Sequence, residues 1–167
     1  RIGAAAEALK LSSPTELVHR SAQISAELKE KDREIESLGA KLAAVRVDGL
    51  LSSAKDVKGV KLVVARLSET SPASLRVMCD KVLEKSQNCV AVLAAVGGGK
   101  ASIAACAGKG AQAKGAHAGR IVRGVATAAG GSGGGRPDSA MAGTKDVAKL
   151  DGALAAAERI VSDMIHE

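Results

Sequence analysis

Phe, Tyr and Trp are all absent from the 167 residues, so the core must be built from Val, Leu, Ile, Ala and Met. Single-stranded nucleic acid is commonly held by stacking bases on aromatic rings, and that mode is excluded here. Any nucleic-acid contact must run through charge, backbone and shape. No run of eighteen apolar residues and no basic-then-apolar leader is present, so neither a membrane span nor a secreted precursor is expected. The cysteines Cys79, Cys89 and Cys106 form no CxxC pair and sit among Val, Ala and Met. Buried free thiols in a reducing, cytoplasmic compartment are the expectation. His19, His117 and His166 show no ligand spacing to one another or to those cysteines, and no metal is expected. The length suits one domain, or a small domain with a helical appendage, and the chain reads as a soluble piece of something longer.

Acidic residues are missing from one long interval. The chain carries a net charge of +6, yet residues 1–50 hold eight Lys/Arg against eight Asp/Glu, so the excess lies in residues 51–167. Between Glu84 and Asp138 stand Lys85, Lys100, Lys109, Lys114, Arg120, Arg123 and Arg136 without a single acid. Solubility alone would mix the signs, so a face that binds a polyanion is expected, with Lys100, Lys109, Lys114, Arg120, Arg123 and Arg136 as its candidates.

Ser13-Pro14-Thr15-Glu16 reads as a capping box that starts a helix. Leu17, Ile24, Leu38 and Val45 then recur every seven residues, with Lys31 interrupting, while Leu28, Ile35 and Leu42 fill the offset of four. The pattern predicts a coiled-coil-like seam on a helical arm over 1–47, ending at Asp48-Gly49. A globular domain over 48–167 comes next. In it, residues 54–57 and 60–67 predict a hairpin around Lys58-Gly59, and Ser71-Pro72 opens a packing helix with Leu75, Met78, Cys79, Val82 and Leu83 inward. Residues 89–96 and 101–107 predict a second hairpin, 109–115 a basic Gly/Ala turn, 117–129 a helix, and a last helix starts near Val147. The fold class is α+β, a long N-terminal helical arm and a small β-sheet domain covered by helices.

The segment GGSGGGRPDSAMAG at 130–143 is too rich in glycine for core packing and too structured by Arg136-Pro137-Asp138 for a plain linker. Two readings stay open. In one, the backbone amides of Gly131, Gly133, Gly134 and Gly135 form a concavity for an anion or phosphate ester, helped by a subsequent helix start and closed by Arg136. In the other, the glycines permit close packing against the sheet and Arg136 pairs with Asp138. Nucleotide-hydrolysis motifs fail: Gly99-Lys100 is followed by Ala101, Ala94 stands where a P-loop needs glycine, and Gly108, Gly110 and Ala113 miss GxGxxG. No GxSxG or local Cys–His–acid grouping suggests a catalytic nucleophile.

The same loop, together with VKGVKLVVARLS at 57–68, Arg1-Ile2 and the terminal helix, resembles the C-terminal region of the alanyl-tRNA synthetase family, which carries a GGGGRPDMAQAGG-type loop. Departures are Ser132, Ser139, Met141 and Thr144. The resemblance implies a helical arm plus a DHH-associated globular domain that holds the outer corner of tRNA(Ala), links aminoacylation to editing, and in some members dimerises. It implies partners in tRNA(Ala) and in the catalytic and editing domains of the same parent chain, with no membrane partner. ATP and zinc belong to those other domains, so this fragment is expected to need no cofactor and to be non-catalytic within an ATP-dependent ligase. The alternative reading is a dimerisation or assembly module with little RNA binding of its own. A third, the substrate-gripping half of a DHH-type phosphodiesterase, would need a catalytic half upstream.

Overall fold

The computed structural model describes residues 16–68 and 70–166. The capping box at residues 13–15 and the opening Arg1-Ile2 lie outside the described residues. Contacts divide the chain into two compact units, one ending at Lys41 and one comprising Leu42–Glu167.

Helix α1 runs Leu17–Ser52. The seam stands open, with Leu28 59% exposed, Ile35 66%, Leu38 52%, Leu42 58% and Val45 74%. The residues that enter the core of the second unit are Ala43 and Val47, with Leu50 and Leu51 packed alongside, a stripe distinct from the seam. That stripe corrects the expected end at Asp48-Gly49. A helical glycine costs about 1 kcal/mol relative to alanine, and burying Val47 with its apolar neighbours offsets it.

Strands β1 (Lys55–Val57) and β2 (Val60–Leu67) form the expected hairpin. Lys58 and Gly59 have φ of 50° and 73°, and the Asp56 carboxylate accepts from the Gly59 N–H at 2.9 Å, as a tight primed turn requires. Helix α2 (Pro72–Lys85) starts where Ser71 accepts from the Ser74 N–H, with Pro72 in the first turn. It carries the chain from β2 to β3 (Cys89–Gly97), which pairs with β2 in parallel. A turn through Gly98 and Gly99 then returns β4 (Lys100–Ala107) antiparallel to β3.

Two expectations are corrected in the next segment. The 109–115 turn contains a short helix, α3 (Lys109–Ala113). The 130–143 stretch is no loop but an edge hairpin of β5 (Ser132–Gly135) and β6 (Ser139–Thr144), and its Arg-Pro-Asp turn leads into a strand rather than a helix start. Between them lies helix α4 (Ala118–Ala128), capped by the His117 ring, whose Nδ1 accepts from the Arg120 N–H at 3.3 Å. A 3-10 turn (Val147–Lys149) leads into helix α5 (Leu150–Met164).

The six-stranded mixed sheet has the order β1-β2-β3-β4-β6-β5. On one face Val60, Leu62, Val90, Val92, Ile103 and Ala105 meet α4 and α5. On the other, Val63, Ala91, Leu93, Ala104 and Cys106 meet α2 and the end of α1. Burial on both faces explains why β3 reads as a continuous apolar run rather than an alternation. The fold is thus α+β, with α-helices on both sides of the sheet.

Cys79, Cys89 and Cys106 are buried free thiols on the α2 face. Burial pushes the Cys89 thiol up to about 12, and a hydrogen bond with Cys79 together with burial raises Cys106 well above its ordinary value. Because the folded state holds these protons more tightly than the unfolded chain, the stability they carry is complete below the ordinary thiol range and is lost as pH climbs from about 9 towards 12. Ellman's reagent is therefore expected to label no thiol of the native chain at pH 8 and three after denaturation. The urea midpoint should fall between pH 9 and pH 11.

Candidate nucleic-acid interface

The acid-free interval places its cations at two ends of the sheet. Lys109 stands just past the C-terminal end of β4, where the Ala107 N–H donates to the Asp138 carbonyl at 3.0 Å. Helix α4 begins at the same end, with the Ala118 N–H bonded to Pro137 O at 2.8 Å and the Gly119 N–H to Arg136 O at 3.1 Å. Arg120 and Arg136 therefore stand at the β5–β6 turn and Arg123 lies one helical turn further along α4, whereas Lys109 turns to the β3 side of β4, its N–H donating to the Gln87 side chain at 3.4 Å. Lys100 opens β4 at the far end, about 23 Å from Ala107 at the usual strand rise.

The cations differ in what they touch. Lys100, Lys109, Arg120 and Arg123 are exposed, and among the described residues none forms an ion pair. Arg136 grips Asp138 with both prongs, Nε to Oδ1 and Nη2 to Oδ2, each at 3.2 Å. Half-buried Lys114 donates weakly to the Lys58 carbonyl at 3.4 Å. The Arg123 guanidinium reaches over the edge strand, 3.4 Å from where a β-carbon on Gly134 would stand. The empty side of that glycine leaves room for the arginine.

The other glycines of the run bring backbones together. A β-carbon on Gly133 would lie 2.1 Å from that of Ala142, and one on Gly135 would lie 2.7 Å from the Ala140 Cα. This is the close packing that the second reading of the loop describes, and the Arg136–Asp138 pair is its other half.

Lys145, exposed and likewise unpaired among the described residues, is a cation that the sequence pattern did not single out. It lies between Asp138 and Asp146, outside the acid-free interval. Asp146 is committed elsewhere: it accepts from the Lys149 N–H and pairs with the Lys149 ammonium at 2.9 Å, which holds its carboxyl below the usual range. A cavity of about 490 Å³ opens beside Lys145 and Lys100. A second, of about 600 Å³, lies between α2 and the β5–β6 turn, where Arg76 and Arg136 face Asp80 and Asp138. Among the described residues no three His, Cys, Asp or Glu side chains cluster as a metal site, and no helix is long and apolar enough to cross a membrane.

Residues 59–163 match the DHHA1 domain family. The chain is 40% identical over 160 residues to the alanine–tRNA ligase of Acetivibrio thermocellus and 42% identical over 160 residues to that of Geobacillus kaustophilus. Each match takes in 96% of this chain, which spans only 18% of the length of either relative. The solved C-Ala domain of Aquifex aeolicus alanyl-tRNA synthetase superposes with a TM-score of 0.61 at 26% identity, covering 66% of this chain and 98% of that one. A DHH domain protein described as belonging to a family of ribosomal proteins shares the fold, with a TM-score of 0.50 at 19% identity over 90% of this chain and 34% of that one. With the mixed sheet, the arm and the matched span in agreement, the chain belongs to the DHHA1 domain family, in the form similar to the C-terminal region of alanyl-tRNA synthetases.

Proposed function

We propose that this chain is the tRNA-gripping C-terminal domain of an alanine–tRNA ligase, holding the outer corner of tRNA(Ala) by its backbone and shape. It would serve aminoacylation and editing carried out by other domains of the parent chain and would itself be non-catalytic. The observation that carries this reading is the set of exposed cations without acid partners among the described residues, Lys100, Lys109, Arg120 and Arg123, on a chain without aromatic rings. Ammonium and guanidinium groups neutralise phosphates whatever the base, so the binding is expected to be salt-dependent and indifferent to sequence within a given shape. Arg136 would join the set by releasing Asp138, and the amides of Gly131, Gly133, Gly134 and Gly135 would lie close enough to the surface for an RNA backbone to approach. Cytoplasmic location follows from the same reading.

A second reading, assembly, is favoured by the open seam at Leu28, Ile35, Leu38, Leu42 and Val45. An apolar stripe on an otherwise charged helix is the surface that a second helix would cover. Sedimentation velocity separates the two. The tRNA-binding reading expects a monomer that forms a complex with tRNA at micromolar concentration, whereas a dimer that ignores tRNA would leave assembly as the function.

A further inference from the structure

The far end of β4 has a feature that the α4 cations do not share. The β4–β6 register pairs Ala101 with Thr144 and Ser102 with Gly143. Lys100 and Lys145 lie just beyond the last pair of that register, and both line the 490 Å³ cavity. Two like charges on one cavity repel each other unless an anion lies between them. No acid among the described residues relieves this pair, since Asp146 is held by Lys149. The arrangement is one that a bound anion would stabilise.

The strands supply the rest of the site. Ala104 and Cys106 of β4 and Met141 of β6 pack on the α2 face, so alternation puts Lys100, Ser102 and Gly143 on that face too. Ser132 of β5 pairs with Gly143 and shares it. The row across three strands therefore reads Ser102, Gly143, Ser132: two hydroxyls flanking a gap. A β-carbon on Gly143 would meet nothing nearer than 3.7 Å, so the gap is open above the β6 backbone. These residues line the 490 Å³ cavity, with Gly130 and Gly131 closing one side. Buried Thr144 is not a donor to it: its hydroxyl donates to the Ala129 carbonyl at 2.7 Å and accepts from the Asp146 N–H. That bond pins the strand end and fixes where Lys145 emerges.

We infer that this notch, formed by Lys100, Lys145, Ser102 and Ser132, binds a phosphate ester. Two ammonium groups meet the charge of the phosphate, and two hydroxyls donate to its oxygens. The volume exceeds that of a bare phosphate and admits an attached ribose. An internucleotide phosphodiester and a free nucleotide present the same chemistry. The inference deepens the tRNA-binding reading and rests on it for the choice of the phosphodiester as natural guest.

The test is a heteronuclear NMR titration of the ¹⁵N-labelled chain with tRNA and, separately, with adenosine 5′-monophosphate, repeated on a Lys100→Ala/Lys145→Ala variant whose amide dispersion reports its folding. The expected result is saturable shifts at Ser102, Gly131, Ser132, Gly143 and Lys145 with tRNA, lost in the variant, with about tenfold weaker tRNA binding at 0.1 M salt and a salt slope lower by about one. Undiminished tRNA binding by the variant, with shifts confined to α4, would overturn the notch and leave the tRNA-binding reading standing. Notch shifts with adenosine 5′-monophosphate but no complex with tRNA would keep the phosphate-ester site and remove the tRNA-binding reading. Silence with both ligands would remove both.

Discussion

Gly119→Ala is expected to destabilise the second unit by about 2 kcal/mol, lowering Tm by roughly 4–8 °C. Helix propensity alone predicts the opposite, since alanine in place of a helical glycine gains up to about 1 kcal/mol. The geometry decides between them. A β-carbon on Gly119 would sit 2.3 Å from the Gly135 carbonyl oxygen and 3.0 Å from its carbonyl carbon, and a backbone group cannot rotate aside. Helix α4 would have to withdraw from β5, straining the Gly119 N–H bond to Arg136 O. Gly124→Ala is the control. The atoms nearest its β-carbon would all belong to the Ile160 side chain, the first at 3.1 Å, and that flexible end yields. Differential scanning calorimetry of the two variants should show a lower Tm for the first and an unchanged or higher Tm for the second. Equal Tm values would mean that α4 does not rest on β5 as described.

Replacing Lys109, Arg120 and Arg123 together by alanine is expected to flatten the dependence of tRNA affinity on salt by two to three units of log–log slope, each lost phosphate contact removing about 0.7–0.9. At 0.1 M salt that corresponds to about a hundredfold or greater loss of affinity. The three side chains are exposed and unpaired among the described residues, so stability should hold within about 0.5 kcal/mol. Lys55→Ala is the matched control, because that lysine already has Glu158 at 2.6 Å and should change the slope little. A triple variant with the parent's slope would place the RNA contacts elsewhere.

Hairpin β1–β2, helix α2, hairpin β3–β4, helix α4 and the last helix were legible in the sequence because each is signalled locally, by Lys58-Gly59, Ser71-Pro72, Gly97-Gly98-Gly99, His117 or a periodic apolar stripe. The β5–β6 hairpin was not. Glycine and alanine have little intrinsic preference for strands, and Ser132–Gly135 is extended because β6 and α4 hold it there, which is tertiary information. The overrun of α1 past Gly49 has the same origin: Ala43 and Val47 make sense only against the sheet. For the candidate interface, counting acids along the chain found the exposed cations on α4 but left open whether Arg136 closes an anion site or pairs with Asp138, as it does. It also passed over Lys145, which lines one cavity with Lys100 although the two stand 45 residues apart in sequence. Charge runs see one dimension, whereas strand register joins residues far apart along the chain.

The most direct test of tRNA gripping by this domain is a fluorescence-anisotropy titration of labelled tRNA with the chain across a salt series, with double-stranded DNA of matched length as competitor. Binding at micromolar concentration or tighter, a steep salt slope, and a clear preference for tRNA over DNA are expected. Absence of tRNA binding, or equal binding to the two duplex shapes, would contradict that role.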